Sequence, residues 1–146
     1  FEDSFAKKES RLKVAEFIKE YGTLKFLETS TQNLFSNAFK QAHPEKIQDV
    51  IDSVSDISSE AMVQFVMAMR NRSSHQHMLS QKRIPIWMLV GEEDIAVPIE
   101  DSLQQTQLLP SNNVMVLKQV GHMGMLEATD QVNNALLGFI QAAENK

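Results

Sequence analysis

Two residues of this sequence are well placed for acid–base chemistry, an aspartate and a histidine. Asp94 lies three residues after Gly91, directly behind an apolar run, and His122 follows Gly121 at a distance of 28 residues from the aspartate (122 − 94). A carboxylate that accepts a hydrogen bond from one imidazole nitrogen fixes the tautomer of the ring and stabilises its protonated form. The pair would therefore supply the acid and the general base of a nucleophilic catalyst.

The residues around this pair leave alternatives open. Glu92 and Glu93 compete with Asp94 for the role of the acid, but the position three residues after the glycine favours the aspartate, and we expect both glutamates to be solvated. Asp94 could instead cap a turn, and His122 could be a structural histidine of a loop. The combination of an acid and an imidazole behind two successive strand-like segments favours the catalytic interpretation.

The elements that must hold these residues alternate between strand and helix. Residues 84–90 are almost continuously apolar, which is typical of a strand buried on both faces. Residues 114–117 predict a second strand, a helix begins near Pro98, and a final helix begins at Thr129 or Asp130. The order β-α-β-α predicts two parallel strands joined by a right-handed crossover. Their carboxyl ends would then bring the acid and the histidine to one edge of the sheet.

The first part of the chain, residues 1–80, shows only helical patterns, so we place a boundary near residue 80. Gly22 is well placed to end a first helix. A later helix begins at His43-Pro44, because proline suits the first turn of a helix. Its apolar residues recur at the helical spacing i, i+3, i+4, i+7: Ile47, Val50, Ile51 and Val54. The predicted organisation is thus an all-helical region, residues 1–80, followed by an α/β region, residues 81–146.

A parallel sheet of two strands is incomplete by itself. Parallel sheets need cover on both faces and further strands beside them, and an open apolar edge invites pairing with another chain. We therefore expect the sheet to be completed by a missing N-terminal segment, by a separate polypeptide or by a second copy of this chain.

Composition excludes several classes of function. The net charge of −5 argues against a nucleic-acid partner, and the sequence contains no apolar run long enough for a membrane helix. The chain has no cysteine, which rules out disulfides and thiolate chemistry and makes the cytoplasm the default location. His75 and His77 are two positions apart and do not share a helix face, so we expect no metal site there. No cofactor is predicted.

Residues 84–142 resemble the C-terminal part of α/β-hydrolase-fold enzymes. The residues that carry this resemblance are Ile84-Pro85-Ile86, Gly91-x-x-Asp94, Val97-Pro98, Gly121-His122 and Leu126-Glu127. The resemblance implies that Asp94 and His122 are the acid and the base of a catalytic triad, and that residues 1–80 correspond to the helical cap of the family. It also implies that the G-x-S-x-G nucleophile belongs to an absent front half, since the serines of this chain lack that glycine pattern.

The activity that the resemblance implies is that of a serine hydrolase for small esters, lactones or similar acyl substrates, with this chain inactive alone. Dehalogenases and epoxide hydrolases share the fold and use an aspartate nucleophile. A different class of function is a non-catalytic binding module or a degenerate remnant of a hydrolase. Methionine is adaptable and suits an apolar acyl pocket, although filling of the core explains it as well. The candidate pocket residues are Met62, Met69, Met123 and Met125.

Overall fold

The computed structural model describes residues 2–81, 84–109 and 113–144. In chain order the elements are α1 (Phe5–Ser30), a 3₁₀ turn (Thr31–Leu34), α2 (Asn37–Ala42), α3 (Pro44–Ser53), α4 (Ser59–Asn71), α5 (Gln76–Ser80), β1 (Met88–Gly91), α6 (Ile99–Thr106), β2 (Val114–Leu117), α7 (Gly124–Glu127) and α8 (Thr129–Glu144). The predicted α/β architecture, a helical region followed by a two-stranded parallel sheet with helices, is confirmed.

The chain divides into two compact units. The first comprises Phe1–Gln32 and His43–His75, and the second comprises Asn33–Ala42 and Gln76–Lys146. This division differs from the boundary near residue 80, because the stretch that contains α2 groups with the later part of the chain. The role of residues 1–80 as a cap stays a prediction.

In the first unit, α1 is interrupted where its sequence contains a glycine. Ser4 caps the start of the helix, where its hydroxyl accepts a hydrogen bond from the Lys7 N–H at 3.3 Å. Gly22 has φ 86° and ψ 165°, a conformation that glycine adopts at little cost and that other residues avoid. The helical hydrogen bonding is therefore broken at the residue where the sequence predicts a stop.

The core of the first unit is aliphatic. Ile18 of α1, Ile47 and Ile51 of α3, and Val66 of α4 are all at most 2% exposed. Ile47 and Ile51 are one helical turn apart, so they present one face of α3 for burial, as the spacing predicts. Ser58 caps α4 by accepting a hydrogen bond from the Ala61 N–H at 3.2 Å.

A buried carboxylate lies at the start of the first unit. Asp3 is 5% exposed, and its side chain pairs with Arg11 and, at 2.8 Å, with Arg72. Burial alone would raise the pKa of Asp3, but the hydrogen bond and charge of Arg11, together with the charges of Arg72 and Lys7, outweigh it, so the pKa lies below the usual value. The charged form of Asp3 therefore joins the beginning of α1 to the end of α4.

The second unit contains the sheet. β1 and β2 pair in parallel with Met88 opposite Val114 and Gly91 opposite Leu117. The ordered strand is shorter than the apolar run, and Ile84 at the beginning of that run is 62% exposed. Pro85 has no N–H to donate to a neighbouring strand, which is consistent with pairing that begins only beyond it.

Side chains from both strands and from the loop after β2 form the core of this unit. Val90 of β1, Leu117 of β2 and Val120 are buried. Trp87 stacks on Phe139 of α8, with ring centroids 6.0 Å apart. The same helix leaves a set of large apolar side chains more than 40% exposed: Leu136, Leu137 and Ile140.

Within residues 2–81, 84–109 and 113–144, none of the helices combines the length and the hydrophobicity that crossing a bilayer requires. Over those same ranges, no group of three or more histidine, cysteine, aspartate or glutamate side chains is arranged to hold a metal ion.

Candidate active site

The loops that follow β1 and β2 are joined by backbone hydrogen bonds. The Glu92 N–H donates to the Leu117 carbonyl at 2.9 Å, and the Glu93 N–H donates to the Val120 carbonyl at 2.8 Å. A Cβ atom added to Gly91 would lie 2.0 Å from the carbonyl oxygen of Gly121. Only glycine permits this approach, so the two loops share one backbone framework.

Asp94 and His122 are brought together within this framework. The Asp94 Oδ2 atom lies 2.7 Å from the His122 Nδ1 atom, so the predicted hydrogen bond is present. The other oxygen, Oδ1, accepts hydrogen bonds from the Ala96 and Val97 N–H groups, both at 2.9 Å. Both carboxylate oxygens are therefore engaged, and the side chain has a single orientation that faces the imidazole.

This contact decides how the imidazole can act. An ionised carboxylate only accepts hydrogen bonds, so Nδ1 of His122 carries the hydrogen and donates it in the hydrogen bond to Asp94. In the neutral ring, the other nitrogen, Nε2, is then free of hydrogen and can take up a proton. The side chain of His122 is 42% exposed whereas that of Asp94 is 10% exposed, which leaves the imidazole accessible and the carboxylate sheltered.

The turn that presents His122 is held by unusual backbone contacts. Gln119 has a positive φ of 59°, which is strained for a residue with a side chain. Its N–H donates to the Glu92 Oε2 atom at 3.0 Å, which stabilises that conformation. Three residues later, the His122 N–H donates to the Leu34 carbonyl at 2.8 Å. The histidine is therefore anchored to a segment that lies 88 residues earlier (122 − 34).

Glu127 is a further polar residue of the site, to which the sequence interpretation gave no role. Its Oε1 atom accepts a hydrogen bond from the Gly121 N–H at 2.9 Å, and its Oε2 atom accepts one from the Ser36 N–H at 3.0 Å. The available signal was the glutamate five residues after His122, but its second partner, Ser36, is remote in the sequence and only the fold reveals it.

The two glutamates beside Asp94 are exposed, as expected, but they are not only solvated. Glu92 binds the Gln119 N–H as described, and the Glu93 Oε2 atom accepts a hydrogen bond from the Asn37 N–H at 3.4 Å. Asp94 is the carboxylate that contacts the imidazole. The competing glutamates instead contact backbone on either side of the acid loop.

A cavity of about 230 Å³ lies beside the pair. Its wall includes Asp94 and His122, the strand residue Met88, and two side chains of α6, Ser102 and Gln105. Ser102 is buried and contributes a hydroxyl to the same wall, although it lacks the glycine pattern of a nucleophile elbow.

The four methionines predicted to form a substrate pocket occupy different environments. Met62 is buried in α4 of the first unit, and Met69 of that helix accepts a hydrogen bond from Arg11 at its sulfur, at 3.5 Å. In the second unit, Met123 adjoins His122 at the start of α7, and Met125 is largely exposed. Their role in substrate binding stays a prediction.

Solved structures match this chain over nearly its whole length. An esterase from Thermogutta terrifontis superimposes with a TM-score of 0.85 and 23% identity, covering 97% of this chain and 52% of the esterase. The enzyme MGS-M2, an alpha/beta hydrolase from a Medee basin deep-sea metagenome library, has a TM-score of 0.80 and 17% identity, covering 96% of this chain and 52% of the enzyme.

This chain has an α/β-hydrolase fold. It corresponds to the C-terminal part of that fold, and it spans about half the length of the solved structures it matches. An esterase from Exiguobacterium antarcticum agrees, with a TM-score of 0.76 and 19% identity over 92% of this chain and 48% of the esterase.

Sequence comparison also finds a hydrolase, but the match covers a smaller share of both chains than the structural matches do. The chain is 23% identical over 114 residues to a 2-hydroxy-6-oxononadienedioate/2-hydroxy-6-oxononatrienedioate hydrolase of Pseudomonas sp, covering 77% of this chain and 36% of that protein. No protein-family model matches the chain.

Proposed function

We propose that this α/β-hydrolase chain supplies the acid and the general base of a hydrolase for small esters, lactones or similar acyl substrates. The observation that carries the proposal is the 2.7 Å hydrogen bond between Asp94 Oδ2 and His122 Nδ1, with the second aspartate oxygen held by two N–H groups. A carboxylate so oriented supports the tautomer that a general base needs. The proposal assigns no cofactor.

The proposed mechanism uses the free imidazole nitrogen twice. Nε2 of His122 takes the proton of a serine hydroxyl as its oxygen attacks the acyl carbon, and Asp94 stabilises the imidazolium that forms. The imidazolium then gives this proton to the departing alcohol as the ester bond breaks, which leaves an acyl-enzyme. In the second half, Nε2 takes a proton from water as the water oxygen attacks the acyl carbon. The bond between the acyl carbon and the serine oxygen then breaks, the acid leaves, and His122 returns the proton to the serine.

The nucleophile in this proposal comes from outside these 146 residues. The serines of the chain lack the G-x-S-x-G pattern, and the chain covers about half of the solved enzymes that it resembles. A missing N-terminal half would complete the sheet and carry the nucleophile to Nε2, whereas a second copy of this chain would complete the sheet without supplying the G-x-S-x-G pattern. The chain alone would then be inactive. The cytoplasmic location predicted from the sequence remains part of this proposal.

The test compares the native polypeptide from its source with the 146-residue chain alone. We expect the native polypeptide to hydrolyse short p-nitrophenyl esters and to be labelled by a fluorophosphonate, which reacts with activated serines. We expect the isolated chain to do neither. Turnover by the isolated chain that disappears in Ser102→Ala would contradict an external nucleophile, because Ser102 lies in the wall of the same cavity.

The same assay, extended to haloalkanes and epoxides, separates the alternative reactions. Turnover of haloalkanes or epoxides without fluorophosphonate labelling would indicate an aspartate nucleophile. A native polypeptide that is inert towards all of these substrates, and unlabelled, would favour a non-catalytic module or a degenerate remnant.

A second candidate substrate class is a dienedioate with a 2-hydroxy-6-oxo group. The similarity to the hydrolase of Pseudomonas sp. supports including it, since 23% identity extends over 77% of this chain. Loss of absorbance of 2-hydroxy-6-oxononadienedioate, with rates that exceed those for simple esters, would favour this class over esters.

A further inference from the structure

The backbone around His122 presents three successive N–H groups to only two acceptors. The His122 and Met123 N–H groups both donate to the Leu34 carbonyl, at 2.8 and 3.2 Å, and the Gly121 N–H donates to Glu127 at 2.9 Å. Gly121 is buried, so its N–H would be costly to leave without a partner, and the two bonds to Leu34 constrain the residues that follow it. Together they set the direction in which the Cα–Cβ bond of His122 leaves the backbone.

Glu127 links this turn to the earlier segment of the same unit. One carboxylate oxygen binds Gly121 and the other binds the N–H of Ser36, a residue that is 2% exposed. Ser36 also accepts a hydrogen bond from the Phe39 N–H at 3.2 Å through its hydroxyl, which caps α2. Glu127 therefore joins the histidine turn to a capped and buried helix start, which is a rigid support.

The same segment contacts the acid loop. Asn37, directly after Ser36, donates its N–H to the Glu93 carboxylate, one residue before Asp94. There is little space for this segment to move, because a Cβ atom added to Gly121 would lie 2.8 Å from the Ser36 nitrogen and 2.9 Å from the Leu34 oxygen. The segment 34–37 thus contacts the loops of both functional residues.

We infer that Glu127 is a positioning residue: its carboxylate bridges the Gly121 and Ser36 N–H groups and so holds His122 in the orientation that directs Nδ1 to Asp94. The inference concerns the same site as the proposed hydrolase function, and only its expected effect on kcat rests on that function. The tautomer of His122 and the hydrogen bonds of the Gly121 and Ser36 N–H groups can be measured without turnover, so they test the inference independently of activity. Glutamate suits the position because both of its oxygens accept, whereas glutamine has one acceptor and a donor that would face an N–H.

The test uses isotope-labelled chain and NMR. In the unmodified protein we expect through-hydrogen-bond couplings from the Gly121 and Ser36 nitrogens to the Glu127 carboxyl carbon, and imidazole nitrogen shifts of His122 typical of the Nδ1–H tautomer. In Glu127→Gln we expect amide exchange at Gly121 or Ser36 to accelerate on the order of 10-fold or more. The Nε2–H tautomer of His122 should then become populated.

The matched control is Glu144→Gln, which removes the same charge from an exposed position of α8 in the same unit. It should change neither the exchange rates nor the tautomer. An unchanged tautomer in Glu127→Gln, or equal changes in both variants, would overturn the inference. If Glu127→Gln does not fold, absence of the couplings in the unmodified protein still overturns it, and their presence supports it.

Kinetics on the native polypeptide separate this inference from the proposed function. If both hold, Glu127→Gln lowers kcat while KM changes little, because Glu127 is not among the residues that line the cavity beside the pair. A tautomer change in a polypeptide without hydrolase activity would support positioning and contradict the function. Full activity in a variant with a disturbed tautomer would contradict the expected fall in kcat.

Discussion

Two aspartates, one in each unit, have both carboxylate oxygens engaged in hydrogen bonds, but the partners of these oxygens differ. Asp3 in the first unit pairs with Arg11 and Arg72, and its side chain is 1% exposed. Asp94 in the second unit pairs with two N–H groups and with His122, whose side chain is 42% exposed. Engagement of both carboxylate oxygens therefore does not by itself distinguish the two sites.

The difference lies in the partner of each carboxylate. An arginine keeps its charge at every ordinary pH and has no lone pair to offer, so the arginines of the Asp3 cluster provide no site for proton transfer. An imidazole bound at one nitrogen keeps the other as a site for a proton, so the Asp94 pair can take part in a reaction. Replacing residues of the two clusters should therefore affect activity in one case and stability in the other.

The largest effect is expected for His122→Ala in the native polypeptide. With His122 as the proposed general base, its loss should lower kcat on the order of 10⁵-fold, because in that mechanism no other group takes the nucleophile's proton. The half-exposed ring contributes little to the core, but its loss leaves the Asp94 Oδ2 atom without this partner, so the free energy of unfolding should fall by about 1 kcal/mol. Ester turnover and urea unfolding measure the two quantities. Activity within a few fold of normal would remove His122 from the triad.

Asp94→Asn should follow, with a loss on the order of 10⁴-fold in kcat. The amide can still accept from Ala96 and Val97 through its oxygen, but its NH₂ group would then face Nδ1 of His122 and impose the wrong tautomer. Nitrogen shifts of the imidazole in the isolated chain should report this change directly. A loss of less than tenfold would instead point to Glu93 or to an acid on another strand.

Gly91→Ala should destabilise the second unit by about 3 kcal/mol or more, since the added methyl would lie 2.0 Å from the Gly121 carbonyl oxygen and the backbone would have to move. Gly138→Ala in α8 is the matched control. No atom lies within 4 Å of its added methyl, so alanine should be neutral or stabilise by up to about 1 kcal/mol. Urea unfolding of both variants is the measurement, and equal effects would mean that the two loops are not in close contact.

Asp3→Asn should cost about 2 kcal/mol of stability at pH 7 and leave the tautomer of His122 unchanged. The pKa of Asp3 in the folded chain lies below its ordinary value of 3.8, so its contribution is complete above that pH and is lost as the pH falls through the lower folded value. Urea unfolding at pH 7 and at pH 3 should therefore show a smaller difference between variant and parent at the lower pH.

Glu9→Gln, which removes an exposed charge of α1, is the control for Asp3→Asn and should change stability by less than about 0.5 kcal/mol at either pH. A difference between Asp3→Asn and its parent that grows on acidification would contradict the assignment of the charged cluster as stabilising.

Local patterns in the sequence predicted the elements well where a single physical rule dominates. The helical spacing of Ile47 and Ile51 predicted a buried face, and Gly22 predicted the break in α1 because few other residues adopt its φ. The strand order predicted that Asp94 and His122 would meet. The predicted extent of the first strand was too long, since residues 84–87 lie outside the pairing.

By itself, the sequence predicted the α/β elements and the candidate acid and base, because periodicity, glycines and the ends of parallel strands are local signals, and its resemblance to α/β-hydrolases predicted the fold. Only the tertiary structure decided how those residues are supported. The hydrogen bonds from the His122 N–H to Leu34 and from the Ser36 N–H to Glu127 join segments about 90 residues apart, and the partners of Asp3 were decided in the same way. Such contacts depend on the geometry of a closed backbone framework, which no local pattern of residue types encodes.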